Sequence, residues 1–77
     1  MSRQEKIAEI VKRVSHSDVA PDAEESLFDS GYLDSFALTD MVAELEREFG
    51  IAIPDSDLTP RRFDSLARID QYIEIHT

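Results

Sequence analysis

Three separate stretches of this sequence repeat apolar residues at helical spacing, and none alternates them convincingly as a strand would. In residues 3–14, Ile7, Ile10, Val11 and Val14 fall at i, i+3, i+4 and i+7, the pattern of an amphipathic helix, with Ser2 placed to cap it. Residues 35–49 form the clearest helix. Val42, Leu45 and Phe49 share one face with Leu38 and Met41 beside it, and Asp40, Glu44, Glu46, Arg47 and Glu48 cover the rest. Gly50 follows at once, the usual residue for a left-handed helix end. In residues 65–75, Leu66, Ile69 and Ile73 line a face with Tyr72 alongside, and Asp64 or Ser65 is placed as the cap. Between the last two stretches, Ile51–Pro54 reads as extended and residues 55–57 as a polar turn. Thr59 is placed to cap one short turn with Pro60 at its first position and Phe63 pointing inward. The fold expected is all-α, a small bundle of three main helices plus one short helix, forming a single domain over residues 1–77.

A chain of 77 residues without cysteine has no disulfide or thiolate–zinc site to reinforce it, so stability has to come from helix packing. It also has no side chain able to form a thioester. The opening Met1-Ser2-Arg3-Gln4-Glu5-Lys6 is polar and no long apolar run follows, which argues against a signal peptide or membrane span. A cytoplasmic monomer is the expectation. Asp and Glu number 17 against 8 Lys and Arg, a formal charge of −9. Such a surface repels phosphate backbones and anionic lipid, making nucleic acid and membrane poor partners. It favours basic protein surfaces, although acidity also simply keeps a small protein soluble.

The connection over residues 15–34 is long for so small a domain, and long loops are often functional. Val19, Leu27, Phe28 and Leu33 are its apolar residues and are expected to pin it to the bundle, with Gly31 supplying a turn. It ends at Asp34-Ser35, at the start of the strongest helix. The first N–H groups of a helix lack internal partners and carry partial positive charge, so a phosphate ester on Ser35 sits in a favourable field. By itself the pair is explained by capping preference alone.

The surroundings make it informative. Leu27-Phe28-Asp29-Ser30-Gly31-Tyr32-Leu33-Asp34-Ser35-Phe36, followed by Leu45-Glu46-Arg47-Glu48-Phe49-Gly50-Ile51-Ala52-Ile53-Pro54, resembles the acyl carrier protein and peptidyl carrier protein superfamily over nearly the whole chain. The resemblance implies a 4'-phosphopantetheine arm, transferred from coenzyme A by a phosphopantetheinyl transferase to Ser35, with Asp34 supporting the modification. It implies an acyl or aminoacyl cargo held as a thioester on that arm. It further implies an adenylating or acyl-loading enzyme and a downstream condensing, modifying or transferring enzyme. Gly31 lies four residues before Ser35 and Phe36 directly after it, and Leu58-Thr59-Pro60-Arg61-Arg62-Phe63-Asp64-Ser65 is longer than the matching segment of fatty-acid carriers. These features resemble free-standing aminoacyl carriers, D-alanyl carrier proteins and discrete nonribosomal peptide or polyketide carriers among them. A fatty-acid carrier and an unmodified acidic interaction module are the alternatives.

No catalytic residue is expected. Ser35 as a nucleophile needs a base, and the two histidines, His16 and His76, read as solvated surface residues. No metal site is expected either, because the spacing of a calcium-binding loop is absent around Asp55 and Asp57. Asp40, Glu44 and Glu48 repeat at i, i+4, i+8 as an acidic stripe leading from the Ser35 end of its helix. In the family, basic patches on partner enzymes engage this helix. Phe36 and Met41 are the apolar candidates at the partner-facing rim, with Met41 expected to be partly exposed.

Overall fold

The computed structural model describes residues 2–76; of the 1–77 span expected as one domain, Met1 and Thr77 lie outside them. Helix α1 runs Arg3–Ser15, α2 Ser35–Phe49 and α3 Leu66–His76, with a 3-10 turn at Asp55–Asp57. Among the described residues there is no strand.

Each helix begins and ends where its backbone groups find partners. At the start of α1 the Ser2 hydroxyl accepts from Glu5 N–H at 3.2 Å, and the Glu5 carboxylate accepts from Ser2 N–H at 3.2 Å, a reciprocal box that satisfies two orphan donors. The helix stops at His16, whose φ of 57° is left-handed, a region that non-glycine residues seldom occupy. Helix α2 ends at Gly50, with φ 65°, where glycine carries no side-chain penalty. The cap of α3 is Ser65, whose hydroxyl accepts from Arg68 N–H at 3.2 Å.

Ile7, Ile10 and Val11 of α1, Leu38, Met41, Val42 and Leu45 of α2, and Leu66, Ile69, Tyr72 and Ile73 of α3 form one buried cluster. Helix α1 packs on both other helices. Leu27, Leu33, Ile53 and Phe63 close the remaining sides from the connections. Phe63 points inward as its position suggested and lies fully buried, its ring centroid 5.2 Å from that of Tyr72.

Several expectations change. Met41 is fully buried, not partly exposed. The inward row of α2 is Leu38, Met41, Val42 and Leu45, while Phe49, at the helix end, is only half-buried. Val19 does not pin the long connection, for it is 66% exposed. The 3-10 turn forms at Asp55–Asp57, where Asp57 N–H donates to Pro54 O and Leu58 N–H to Asp55 O, and the short turn expected at Pro60 is present beside it, with Arg62 N–H donating to Thr59 O and Phe63 N–H to Pro60 O.

The 15–34 connection is held at Leu27. Its N–H donates to the Asp64 carbonyl at 2.6 Å, and its own carbonyl accepts from Tyr32 and Leu33 N–H at 2.9 and 3.0 Å. The Ser26 hydroxyl donates to the Asp64 carboxylate at 2.7 Å, and Ala67 N–H donates to the Ala23 carbonyl at 3.0 Å. The segment that delivers the chain to α2 is thereby fastened to the start of α3.

Candidate functional site

Asp34 adopts an extended backbone, and its Oδ1 accepts from Ala37 N–H at 2.8 Å. Its carbonyl accepts from Leu38 N–H at 2.8 Å. Asp34, not Ser35, is therefore the cap of α2. Ser35 is the first helical residue; its carbonyl accepts from the Thr39 hydroxyl at 3.0 Å, and the residue is exposed. Its own hydroxyl has no hydrogen bond among the described residues. The division of labour matters chemically. An aspartate carries out the capping that a serine would otherwise perform, so the serine oxygen projects free at the positive end of a helix. That location stabilises a phosphate ester by ~0.3–1 kcal/mol, and an exposed hydroxyl at a helix tip is open to a modifying enzyme. The residues fit a phosphopantetheine ester.

Phe36, directly after Ser35, is 84% exposed, an aromatic ring displayed beside the attachment point. Asp40 is exposed one turn further on and has no ion pair among the described residues. The rest of the expected stripe is engaged in ion pairs, although Glu48 stays exposed. Glu44 is half-buried between Arg13 at 3.7 Å and Arg47 at 3.6 Å, and Glu48 meets Lys6 at 3.9 Å. A helix advances about 40° round its axis for every four residues, so a row at i, i+4, i+8 turns away from the Asp40 face. Here it turns onto the basic residues of α1. The exposed residues of α2 are Ser35, Phe36, Thr39, Asp40, Ala43, Arg47 and Glu48. Met41, buried beneath them, offers nothing to a partner.

Neither histidine reaches Ser35 with a hydrogen bond. His16 closes α1, and the His76 ring stacks on Tyr72 at 4.1 Å. The Tyr72 hydroxyl donates to Asp57 Oδ2 at 2.7 Å. Burial and that carboxylate push the Tyr72 phenol up to about 12. Among the described residues no three His, Cys, Asp or Glu gather as metal ligands, and no helix is long and apolar enough to cross a membrane.

Two features escaped the sequence reading. One is the Tyr72–Asp57 hydrogen bond, foreshadowed only by the rule that a buried tyrosine needs a partner for its hydroxyl. The other is a groove between Arg61, Arg62 and α3, whose signal was the arginine pair at 61–62 with Arg68 close behind.

A small helical bundle that displays an exposed serine at the tip of a helix has the form of a domain that carries a covalently attached group. Residues 5–72 match the family described as "phosphopantetheine attachment site", and the chain belongs to that family. It is similar to the D-alanyl carrier proteins of Streptococcus pyogenes serotypes M5 (strain Manfredo), M49 (strain NZ131) and M1. Each is 34% identical over 74 residues, covering 96% of this chain and 94% of the relative. The family and these relatives indicate a covalent 4'-phosphopantetheine cofactor and a non-catalytic carrier that works with partner enzymes, among them a phosphopantetheinyl transferase and a ligase.

Proposed function

We propose that this chain carries a small aminoacyl group, of the D-alanyl type, as a thioester on a phosphopantetheine attached to Ser35. The observation that carries the reading is the free Ser35 hydroxyl, exposed at the start of α2 while Asp34 takes the cap. When bound, the arm supplies the thiol that a cysteine-free chain lacks. The similarity to D-alanyl carrier proteins over almost the full length of both chains supports the cargo class. The chain acts as a single carrier domain and as a monomer, in the cytoplasm, where coenzyme A and ATP are at hand.

The chain's own residues have three tasks. Asp34 fixes the first turn of α2 and keeps the Ser35 oxygen out of the capping role. Phe36 and Asp40 present an apolar and an acidic contact to the transferase and to an adenylating enzyme that activates the amino acid. Glu44 and Glu48 join that contact only by exchanging their α1 partners for cations of the visiting enzyme. A downstream transferring enzyme then meets the same face. Surface ion pairs contribute ~0–1 kcal/mol each, so such exchanges suit the fast association and release that a shuttle needs.

Incubation with coenzyme A and a phosphopantetheinyl transferase, followed by intact mass spectrometry, is expected to show one arm added, and Ser35→Ala to show none. An unchanged mass with several competent transferases would make this an unmodified interaction module. Mass analysis of protein isolated from its native host then reads the cargo. A long-chain acyl group there, in place of an aminoacyl group, would overturn the D-alanyl-type reading while leaving the attachment site intact.

A further inference from the structure

The cations of this acidic chain are not evenly used. Of the eight Lys and Arg residues, Arg3, Lys6, Lys12, Arg13 and Arg47 each form an ion pair with a carboxylate. Arg61, Arg62 and Arg68 form none among the described residues. All three line one groove of about 270 Å³, together with Gln71, Tyr72 and Ile75. The Arg68 guanidinium donates to the Arg61 carbonyl at 3.1 Å, which ties the two banks of the groove together. Ile75 is 72% exposed, one of only three large apolar side chains so exposed among the described residues. A protein of net charge −9 thus gathers its three unpaired cations around an uncovered aliphatic side chain.

The chemistry that complements such a place is carboxylates flanking an apolar side chain. Guanidinium forks pair with carboxylates in bidentate geometry, and the exposed Ile75 side chain offers an aliphatic contact beside them. An anionic lipid surface is a poorer match. It is too flat to fill a concave groove, and the rest of the chain repels it. A second copy of the chain brings the same net charge and the same repulsion.

We propose that the groove between Arg61–Arg62 and α3 is a docking site for an acidic segment of a partner protein, one that places an apolar side chain against Ile75. The site goes beyond the attachment of a group to Ser35 and does not depend on it. It gives the carrier two contact faces of opposite sign, one at Phe36 and Asp40 and one at the arginines. Charge arrangements of this kind fix orientation and exclude wrong partners.

The test uses the full chain, isotopically labelled, titrated with a blocked peptide that alternates Glu pairs with single Leu residues. Amide shifts are expected at Arg61, Arg62, Arg68, Gln71 and Ile75, weakening as salt is raised. The double variant Arg61→Glu/Arg68→Glu, which changes exposed residues, should bind about tenfold or more weakly. Its α2 amide spectrum should be unchanged and its Ser35 modified normally, which separates this site from the carrier reading. A peptide with Lys in place of Glu should leave the groove amides unmoved. The proposal is overturned if ~1 mM of the acidic peptide moves none of these amides, or if the shifts fall on α1 and α2 instead. It is also overturned if phosphatidylglycerol vesicles bind the chain through these residues while the peptide does not, or if the same shifts arise from concentrating the protein alone.

Discussion

Replacing Asp34 by alanine probes the central arrangement of the site, because it removes the cap without touching the serine. The Asp34 carboxylate holds Ala37 N–H at 2.8 Å, and losing such a cap costs ~1 kcal/mol. Ser35 is the next residue able to cap. If α2 slips by one position, the Ser35 oxygen accepts from Leu38 N–H, and its backbone takes up the extended geometry that Asp34 holds now. Losing ~1 kcal/mol shifts the ratio of the slipped to the free state about fivefold toward the slipped one. Arm attachment to Asp34→Ala, followed by intact mass spectrometry at limiting carrier, is therefore expected to slow, by at most about fivefold. Asp34→Asn keeps the cap, since Asn and Asp cap equally well, and should restore the rate. Attachment to Asp34→Ala at the unaltered rate would refute the argument that capping by Asp34 liberates Ser35. Equal loss in Asp34→Asn would assign the effect to the negative charge instead.

Phe36→Ala removes a ring that is 84% exposed; urea unfolding should change by less than ~0.5 kcal/mol, while kcat/KM for loading falls roughly tenfold. Undiminished loading would remove Phe36 from the partner face. Met41→Ala should do the reverse, costing ~2–5 kcal/mol in urea unfolding because the side chain is fully buried, with the folded fraction loading normally; a negligible loss of stability would restore Met41 to the surface. The Tyr72 phenol, raised to about 12 from 10.0 by burial first and by Asp57 second, binds its proton more tightly in the folded chain. The stability this contributes is fully present below pH ~10 and is lost as pH rises through about 12. Denaturant melts across that window should steepen in their pH dependence for the unaltered chain and flatten in Tyr72→Phe; identical slopes would contradict the shift.

The limits of the central helix were legible because both are chemical. Asp34 opens α2 and Gly50 closes it, and neither needs a neighbour to do so. Which residues faced inward was less legible. Val42, Leu45 and Phe49 satisfied the helical period, and Met41 was left outside it. The core in fact takes Leu38, Met41, Val42 and Leu45, the same period begun one turn earlier, and the choice depends on where α1 lies. The ion pairs within the acidic stripe were hidden for a related reason. Spacing along one helix shows that Asp40, Glu44 and Glu48 are near one another, but not that Lys6 and Arg13 of another helix stand opposite two of them. Residues 15–34 read as a long connection because the bonds that organise it run to Asp64 and Ala67, far away in sequence. Ser35 itself was legible through its surroundings, whereas the freedom of its hydroxyl emerged only with the cap geometry.

The fastening of Ala23, Ser26 and Leu27 to Asp64 and Ala67 sets the size of the smallest transplantable unit. A hybrid that moves residues 23–49 into another scaffold brings the serine but leaves behind the anchor from which it hangs. The Leu27 amide would then lose its acceptor inside the core, and the approach to α2 would be free to swing. Modular exchange of this carrier has to cut outside both sides of that joint, and because residue 67 lies in the first turn of α3, that helix travels whole with residues 23–65.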